Sequence, residues 1–205
     1  MNDLKTIFDK YGTDKSSHGY TDVYYEAFKS LRDKPIKYLE IGVYHGQSIL
    51  AFKDFFPNAE IYAIDIDDKK SFIQDRIFIE QGDQADRDFL KNVFPNVTFD
   101  IILDDGGHLM DQQFISLDEL FPRLNPNGIY VLEDLHTSLW GHYNGGPDKK
   151  DTPLVFLEDI SAGNQIDKSL YPDLKNIDNL LSSIQSCKVH RYNNNNSITS
   201  IIYKN

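Results

Sequence analysis

Lys37-Tyr38-Leu39-Glu40-Ile41-Gly42-Val43-Tyr44-His45-Gly46-Gln47-Ser48 decides the fold. Its first six residues read as a buried strand ending at a glycine, and a helix over 48–55 follows. The spacing Glu40-x-Gly42-x-x-x-Gly46 lets the backbone approach a ligand closely and then turn into a helix. It is not the Gly-x-Gly-x-x-Gly of a dinucleotide binder, because Glu40 stands at the first glycine position. It is not a P-loop either, because no Gly-Lys-Ser/Thr follows. A tight strand-to-helix turn with no ligand needs the same glycines, so the pattern alone is weakly specific.

Working outward, strand-like runs recur at 60–65, 76–81, 99–104 and 129–133. Helical patterns lie at 4–10, 21–31 (with Thr21 and Asp22 as cap oxygens), 86–93, 111–124 and 177–184, and Asn125-Pro126-Asn127-Gly128 closes the fourth of these. Apolar strands alternating with amphipathic helices mean parallel strands joined by right-handed crossovers. At the C-terminal end, alternating runs at 187–192 and 197–203 flank the asparagines 193–196 and read as a β-hairpin, an antiparallel edge on a parallel sheet. Residues 136–150 form an aromatic, glycine-rich loop, and long loops are more often functional than decorative. The expected organisation is one α/β domain over 1–205, with an N-terminal cap or lid at 1–35 and a core at 36–205.

Composition narrows the partners. The 205 residues carry 21 Lys+Arg against 32 Asp+Glu, a formal net charge of −11. That balance argues against nucleic acid, which needs clustered cations, and against an anionic membrane surface. Hydrophobic residues at 40% and aromatics at 13% exclude a disordered chain. No apolar run approaches the roughly 20 residues of a membrane span. Met1-Asn2-Asp3-Leu4-Lys5 lacks the basic and apolar regions of a signal peptide, and Cys187 is alone, so the expectation is a cytoplasmic protein without an internal disulfide.

In open α/β sheets ligands sit outside the carboxyl ends of the strands. Glu40 to Ser48, then Asp65, then Asp83 and Gln84, then Asp104-Asp105-Gly106-Gly107-His108, then Glu133-Asp134 stand there in turn. Asp65 lies where a ribose-binding acid belongs, about 20 residues beyond the glycine loop; a solvated strand-end aspartate has the same position. Asp105 and the pair Glu133-Asp134 converge from neighbouring strands about 4.8 Å apart. Such carboxylates repel unless protonated or bridged by a cation, and a hard divalent ion such as Mg²⁺ resolves the conflict. His108, with an ordinary pKa of about 6.5, suits a general base facing the same cavity. A solvated acidic rim and a hydrogen-bonded structural histidine are the plainer alternatives. Asp104 either meets a ligand or closes the strand and caps the next helix. Trp140 and Tyr143 either stack on a sugar ring or pack the loop onto the core.

The glycine loop, Asp65 and the C-terminal hairpin resemble the class I S-adenosylmethionine-dependent methyltransferases, over about residues 36–135 for the core. The resemblance implies a Rossmann-like, mostly parallel seven-stranded sheet in the order 3-2-1-4-5-7-6. It places Glu40, Gly42, Gly46 and Ser48 around the methionine part of S-adenosylmethionine, Asp65 on the ribose, and Asp83 and Gln84 near the adenine, with Asp104 beside them. A narrower likeness is to the metal-dependent sugar O-methyltransferases of macrolide deoxysugars, rhamnosyl groups and aminocoumarin sugars. Asp105-Gly106-Gly107-His108 stands for their Asp-Gly-Ser-His, Glu133-Asp134 for their acidic pair, and Tyr11-Gly12-Thr13-Asp14-Lys15, with Tyr20 after it, for their N-terminal motif.

That likeness implies Asp105, Glu133 and Asp134 as metal ligands, with Asp105 and His108 in the catalytic role. It puts Tyr11, Thr13 and Lys15 at the cofactor and His136, Trp140 and Tyr143 at the substrate, a sugar hydroxyl of a glycan or glycosylated metabolite. Gly107 departs from the usual serine. The chain is short, with no sign of an added oligomerisation domain, which leaves a homo-oligomer open. A nicotinamide-dependent oxidoreductase and a non-catalytic cofactor-binding protein are the competing readings. Glu40 and the hairpin speak against the first, and the Asp105, His108, Glu133, Asp134 set against the second.

Overall fold

The computed structural model describes residues 3–192 and 196–205. Seven strands form one sheet: β1 Lys37–Ile41, β2 Glu60–Asp65, β3 Ile77–Gln81, β4 Phe99–Asp104, β5 Leu124–Leu132, β6 Ile184–Arg191 and β7 Ile198–Lys204. Their order is β3-β2-β1-β4-β5-β7-β6, as the resemblance implies. β1 to β5 run parallel, while β7 lies antiparallel to both β5 and β6. The register aligns the strand tips: Ile41 pairs with Ile64 and Asp104, and Asp104 pairs with Leu132. Side chains alternate across the sheet, which sorts the core into two layers. Tyr38, Ile61, Ile101, Leu103, Ile129 and Val131 pack under α1 (Leu4–Tyr11), α2 (Thr21–Phe28) and α3 (Gln47–Phe55). Leu39, Tyr62, Ile102, Tyr130 and Leu132 face α4 (Arg87–Asn92), α5 (Met110–Leu120), α6 (Pro153–Ala162) and α7 (Ile177–Ser183). Each fully buried aliphatic or aromatic side chain contributes about 1.5–3 kcal/mol of transfer free energy.

Several boundaries differ from the sequence reading, each for a local reason. α5 stops at Leu120 rather than 124 because Pro122 has no N–H to continue the helical hydrogen-bond ladder, and a 3-10 turn Phe121–Arg123 takes over. β5 begins at Leu124, and Asn125 to Gly128 bulge out of the sheet where the pairing jumps from Phe99↔Leu124 to Ile101↔Ile129. α2 ends at Phe28; Tyr20 occupies the N-cap, and the buried Thr21 hydroxyl makes no capping bond. α6 was not read from the sequence. Its signals are the Thr152 side chain accepting from Val155 N (3.4 Å), Pro153 in the first turn, and Gly163 at φ 71° after the last. The loop at 136–150 is organised by 3-10 turns Leu135–Leu139 and Gly141–Tyr143. Met1 and Asn2, and the asparagine turn at 193–195, lie outside the described residues. Among the described residues no helix is long and apolar enough to cross a membrane.

Candidate active site

The site is built where β1 and β4 end. Gly42 (φ +90°) lets the two tips meet at backbone distance, because a Cβ there would stand 2.1 Å from the Asp105 carbonyl oxygen. Asp65, at the tip of β2, holds the loop after Gly42. Its Oδ2 accepts from Val43 N (2.7 Å) and Tyr44 N (3.1 Å), and its Oδ1 from Asp67 N (2.9 Å). The result is a cleft of about 460 Å³ lined by Gly42, Tyr44, Asp65, Asp83, Gln84 and Gly106, among others. Gln84 crosses the sheet edge: its Oε1 accepts from Gly107 N (2.5 Å) and its Nε2 donates to Asp104 Oδ1 (3.3 Å).

Asp104 itself is 2% exposed. It accepts from Ser116 of α5 and from Tyr130 of β5 (3.3 Å), and burial pushes its carboxyl up to about 6 despite these donors. This residue anchors α5 to the sheet rather than opening onto the cleft.

A second cleft of about 210 Å³ shares Gly42, Tyr44, Asp105 and Gly106 with the first and adds Thr13, Glu40, Ser48, His108 and Asp134. Glu40 is fully buried; Tyr38 donates to its Oε2 (2.8 Å), and the Ser48 hydroxyl also pulls its carboxyl down. Burial pushes the Glu40 carboxyl up to about 7, against the pull of the nearby Lys15 charge.

The acidic residues meet on the far side of this second cleft. Asp105, His108 and Asp134 offer ligand atoms that all lie within 4.8 Å of one another. Asp134 sits at φ +54°, a left-handed backbone that aspartate tolerates better than most residues. Three imidazoles surround it: His108 Nε2 at 3.5 Å, His18 Nδ1 at 3.6 Å and His136 Nδ1 at 3.9 Å, with Tyr20 donating to its Oδ1 at 3.0 Å. Burial works to raise its carboxyl, but the adjoining imidazoles, His18 first, bring it below the ordinary carboxylate range. Glu133 turns the other way, into the protein, where Tyr24 donates to its Oε1 (2.7 Å). The Lys15 ammonium lies 2.9 and 3.0 Å from the two Glu133 oxygens and 2.5 Å from Asp105 Oδ2. Burial alone would lower this ammonium, but Asp105, Glu133 and Glu40 hold it well above its ordinary value. Carboxylate oxygens from two strand tips opening onto one cleft are the hard donor set that fits a divalent ion such as Mg²⁺.

The sequence reading and the geometry part company at the N-terminal segment. Tyr11 packs against the core with its hydroxyl 3.5 Å from Lys10 Nζ, and Lys15 turns onto the acids rather than onto the cofactor cleft. His18, Tyr20 and Tyr24 were not singled out as partners of the acids; the Tyr11–Lys15 motif was their nearest signal. In the loop, His136 is buried against Trp140 (ring centroids 4.8 Å), Trp140 is 41% exposed, and the Tyr143 ring lies 6.1 Å from that of His108. At Gly107 an added Cβ would stand 2.3 Å from Gln112 Oε1, so the Gln112 side chain fills the space a serine would use.

Residues 39–135 match the model of a family described as a methyltransferase domain. The mycinamicin VI 2''-O-methyltransferase of Micromonospora griseorubida is 36% identical over 171 residues, 77% of this chain and 43% of that protein. The demethylmacrocin O-methyltransferase of Streptomyces fradiae is 34% identical over 165 residues, 76% of this chain and 42% of that one. The solved structure of the MycE methyltransferase of the mycinamycin biosynthetic pathway, in complex with Mg, SAH and mycinamycin VI, matches with a TM-score of 0.80 and 30% identity over 98% of this chain and 54% of that chain. The chain spans about half the length of the relatives it matches.

Proposed function

The chain carries a methyltransferase domain of the class I fold, and from that premise we propose that it transfers a methyl group from S-adenosylmethionine to a sugar hydroxyl of a glycan or glycosylated metabolite. The observation that carries this reading is the convergence of Asp105, His108 and Asp134 within 4.8 Å, beside a glycine-built cleft that Asp65 braces. The sugar acceptors in the names of the relatives support the substrate class.

In this reading Gly42, Gly46, Glu40 and Ser48 receive the methionine end of the donor, with Thr13 above it, Asp65 the ribose, and Asp83 and Gln84 the adenine. Asp105 and Asp134, with Glu133 behind them, hold a divalent ion. S-adenosylmethionine supplies the methyl group, and the ion supplies the electrostatic pull that lowers the pKa of the acceptor hydroxyl. His108 takes the hydroxyl proton at Nε2, and Asp134 at 3.5 Å stabilises the imidazolium that results. Trp140, Tyr143 and His136 line the approach of the sugar, with the indole exposed enough to stack on it. The segment from Thr13 to Tyr24 and the loop over 136–150 exclude water from the acceptor oxygen.

The test measures radiolabelled methyl transfer from S-adenosylmethionine to a panel of glycosides and nucleotide sugars, with and without a chelator. The expected result is transfer to a sugar that stops on chelation and returns with Mg²⁺. Binding of NAD but not of S-adenosylmethionine would end the methyltransferase reading, and turnover indifferent to the chelator would remove the ion from it.

A further inference from the structure

Lys15 is 1% exposed, and it is the one lysine buried among the described residues. Lysine is almost never fully buried unless paired. Its ammonium, carried by the 3-10 turn Asp14–Ser16, reaches across 90 positions of sequence to Asp105 and 118 to Glu133. The contacts are 2.5 Å to Asp105 Oδ2 and 2.9 and 3.0 Å to the two Glu133 oxygens. Around it the tips of β4 and β5 bring together the half-buried Asp105 and Asp134 and the buried Glu133, and the buried Glu40 adds a fourth carboxyl within its electrostatic reach. Among the described residues nothing else with a permanent positive charge touches these acids: their remaining side-chain partners are the hydroxyls of Tyr20, Tyr24, Tyr38 and Ser48 and the imidazoles of His18, His108 and His136. Without the ammonium, Asp105 and Glu133 would face each other across a water-poor space, an arrangement like charges do not hold.

We propose that Lys15 is a positioning residue, a resident monovalent cation that keeps the acid cluster assembled in the absence of a divalent ion and weakens the binding of that ion by its own charge. The inference rests on the metal reading given above. Lys15 occupies the inner side of Asp105, and His108 and Asp134 lie on the side open to the cleft. Lysine suits this position better than arginine, because a compact point charge with three donors matches three convergent oxygens, whereas a planar fork matches one carboxylate. The arrangement ties the N-terminal segment to the strand tips through charge. It predicts a site formed in advance and an ion that exchanges readily.

The experiment uses Mn²⁺ as the probe, read by its free-ion electron paramagnetic resonance signal, on wild type, Lys15→Met and Lys15→Arg, together with thermal melts with and without the ion. A unit charge a few Å from a dication changes its affinity on the order of tenfold even at a water-like dielectric. Lys15→Met therefore binds Mn²⁺ at least about tenfold more tightly, whereas Lys15→Arg stays within about threefold of wild type. Lys15→Met also melts lower in chelator and gains more from Mn²⁺ than wild type does. Should Lys15→Met fail to fold in chelator, it is refolded with Mn²⁺; recovery supports the proposal and failure to recover overturns it. Unchanged or weaker Mn²⁺ binding by Lys15→Met, with wild type binding normally, overturns the role of Lys15 and leaves the metal reading standing. No Mn²⁺ binding by either protein, while both still bind S-adenosylhomocysteine, overturns the metal reading and this proposal with it.

Discussion

Replacing Gly42 by alanine separates two costs that a glycine at a strand tip combines. The first is conformational: at φ +90° an L side chain is strained, which costs about 1–2 kcal/mol. The second is a collision, because the new Cβ would stand 2.1 Å from the Asp105 carbonyl oxygen and must move to at least 3.0 Å, roughly 0.9 Å of separation between two backbone segments. Gly12 (φ +70°) supplies the control, since a Cβ there has nothing within 4 Å. Gly12→Ala should lose only the conformational cost, about 1–2 kcal/mol. Gly42→Ala should lose about 2–4 kcal/mol, within the range expected when strain and a steric clash coincide.

The functional effect follows from where the strain is relieved. The Asp105 backbone is tied to Ile41 by the bond from Asp105 N to Ile41 O (3.0 Å), so relief shifts Asp105 and the Gly106 turn. A displacement of about 1 Å at such a centre costs on the order of 10²-fold in turnover. The assays are urea denaturation for stability, titration with S-adenosylhomocysteine for the cleft, and methyl transfer for the reaction. Equal stability losses in the two variants, or a Gly42→Ala protein with unaltered ligand affinity, would refute the claim that the β1–β4 contact shapes the cleft.

Arg87→Ala strips the cation from Asp118 and leaves Glu119 only the Lys91 ammonium at 3.9 Å, with the two acids 0% and 6% exposed, and should cost about 3–5 kcal/mol in urea denaturation; a loss under about 1 kcal/mol would mean that solvent or Lys91 already screens the cluster. Glu40 is raised by burial to about 7 from an ordinary 4.5, so the unfolded chain releases its proton first. Its contribution to stability is complete below pH 4.5 and is lost as pH rises through 7, and Glu40→Gln should flatten the fall in the urea midpoint across that window. An unchanged slope in that variant would locate the titration elsewhere. Burial pushes the Cys187 thiol up to about 12, so an aromatic disulfide reagent at pH 8 should label it slowly in the native protein and quickly in urea; fast native labelling would contradict the packing of β6 against α6.

Much of the fold was legible because its signals are local. Apolar runs of five or six residues mark β1 to β4, and the glycines after β1 mark the turn into α3. The list of residues at the strand tips followed from the topology rule alone, and the cleft does gather Gly42, Asp65, Asp83, Gln84 and Gly106. Two elements depart from the local signals: Pro122 cuts α5 short, and α6 lies beyond the 136–150 loop in a stretch to which the sequence reading assigns no element, although Thr152, Pro153 and Gly163 bound it.

The sequence by itself determined which groups arrive at one edge of the sheet, because alternating strands and helices leave every parallel strand tip on the same side. It also determined that three of those groups are carboxylates next to a histidine. Only the tertiary structure decided how the acids divide, with Asp134 ringed by three imidazoles and a tyrosine and Glu133 turned inward onto Tyr24 and a buried ammonium. The physical reason is that an ion pair closed across 118 residues depends on how an N-terminal turn packs against the sheet, and no spacing along the chain records that packing.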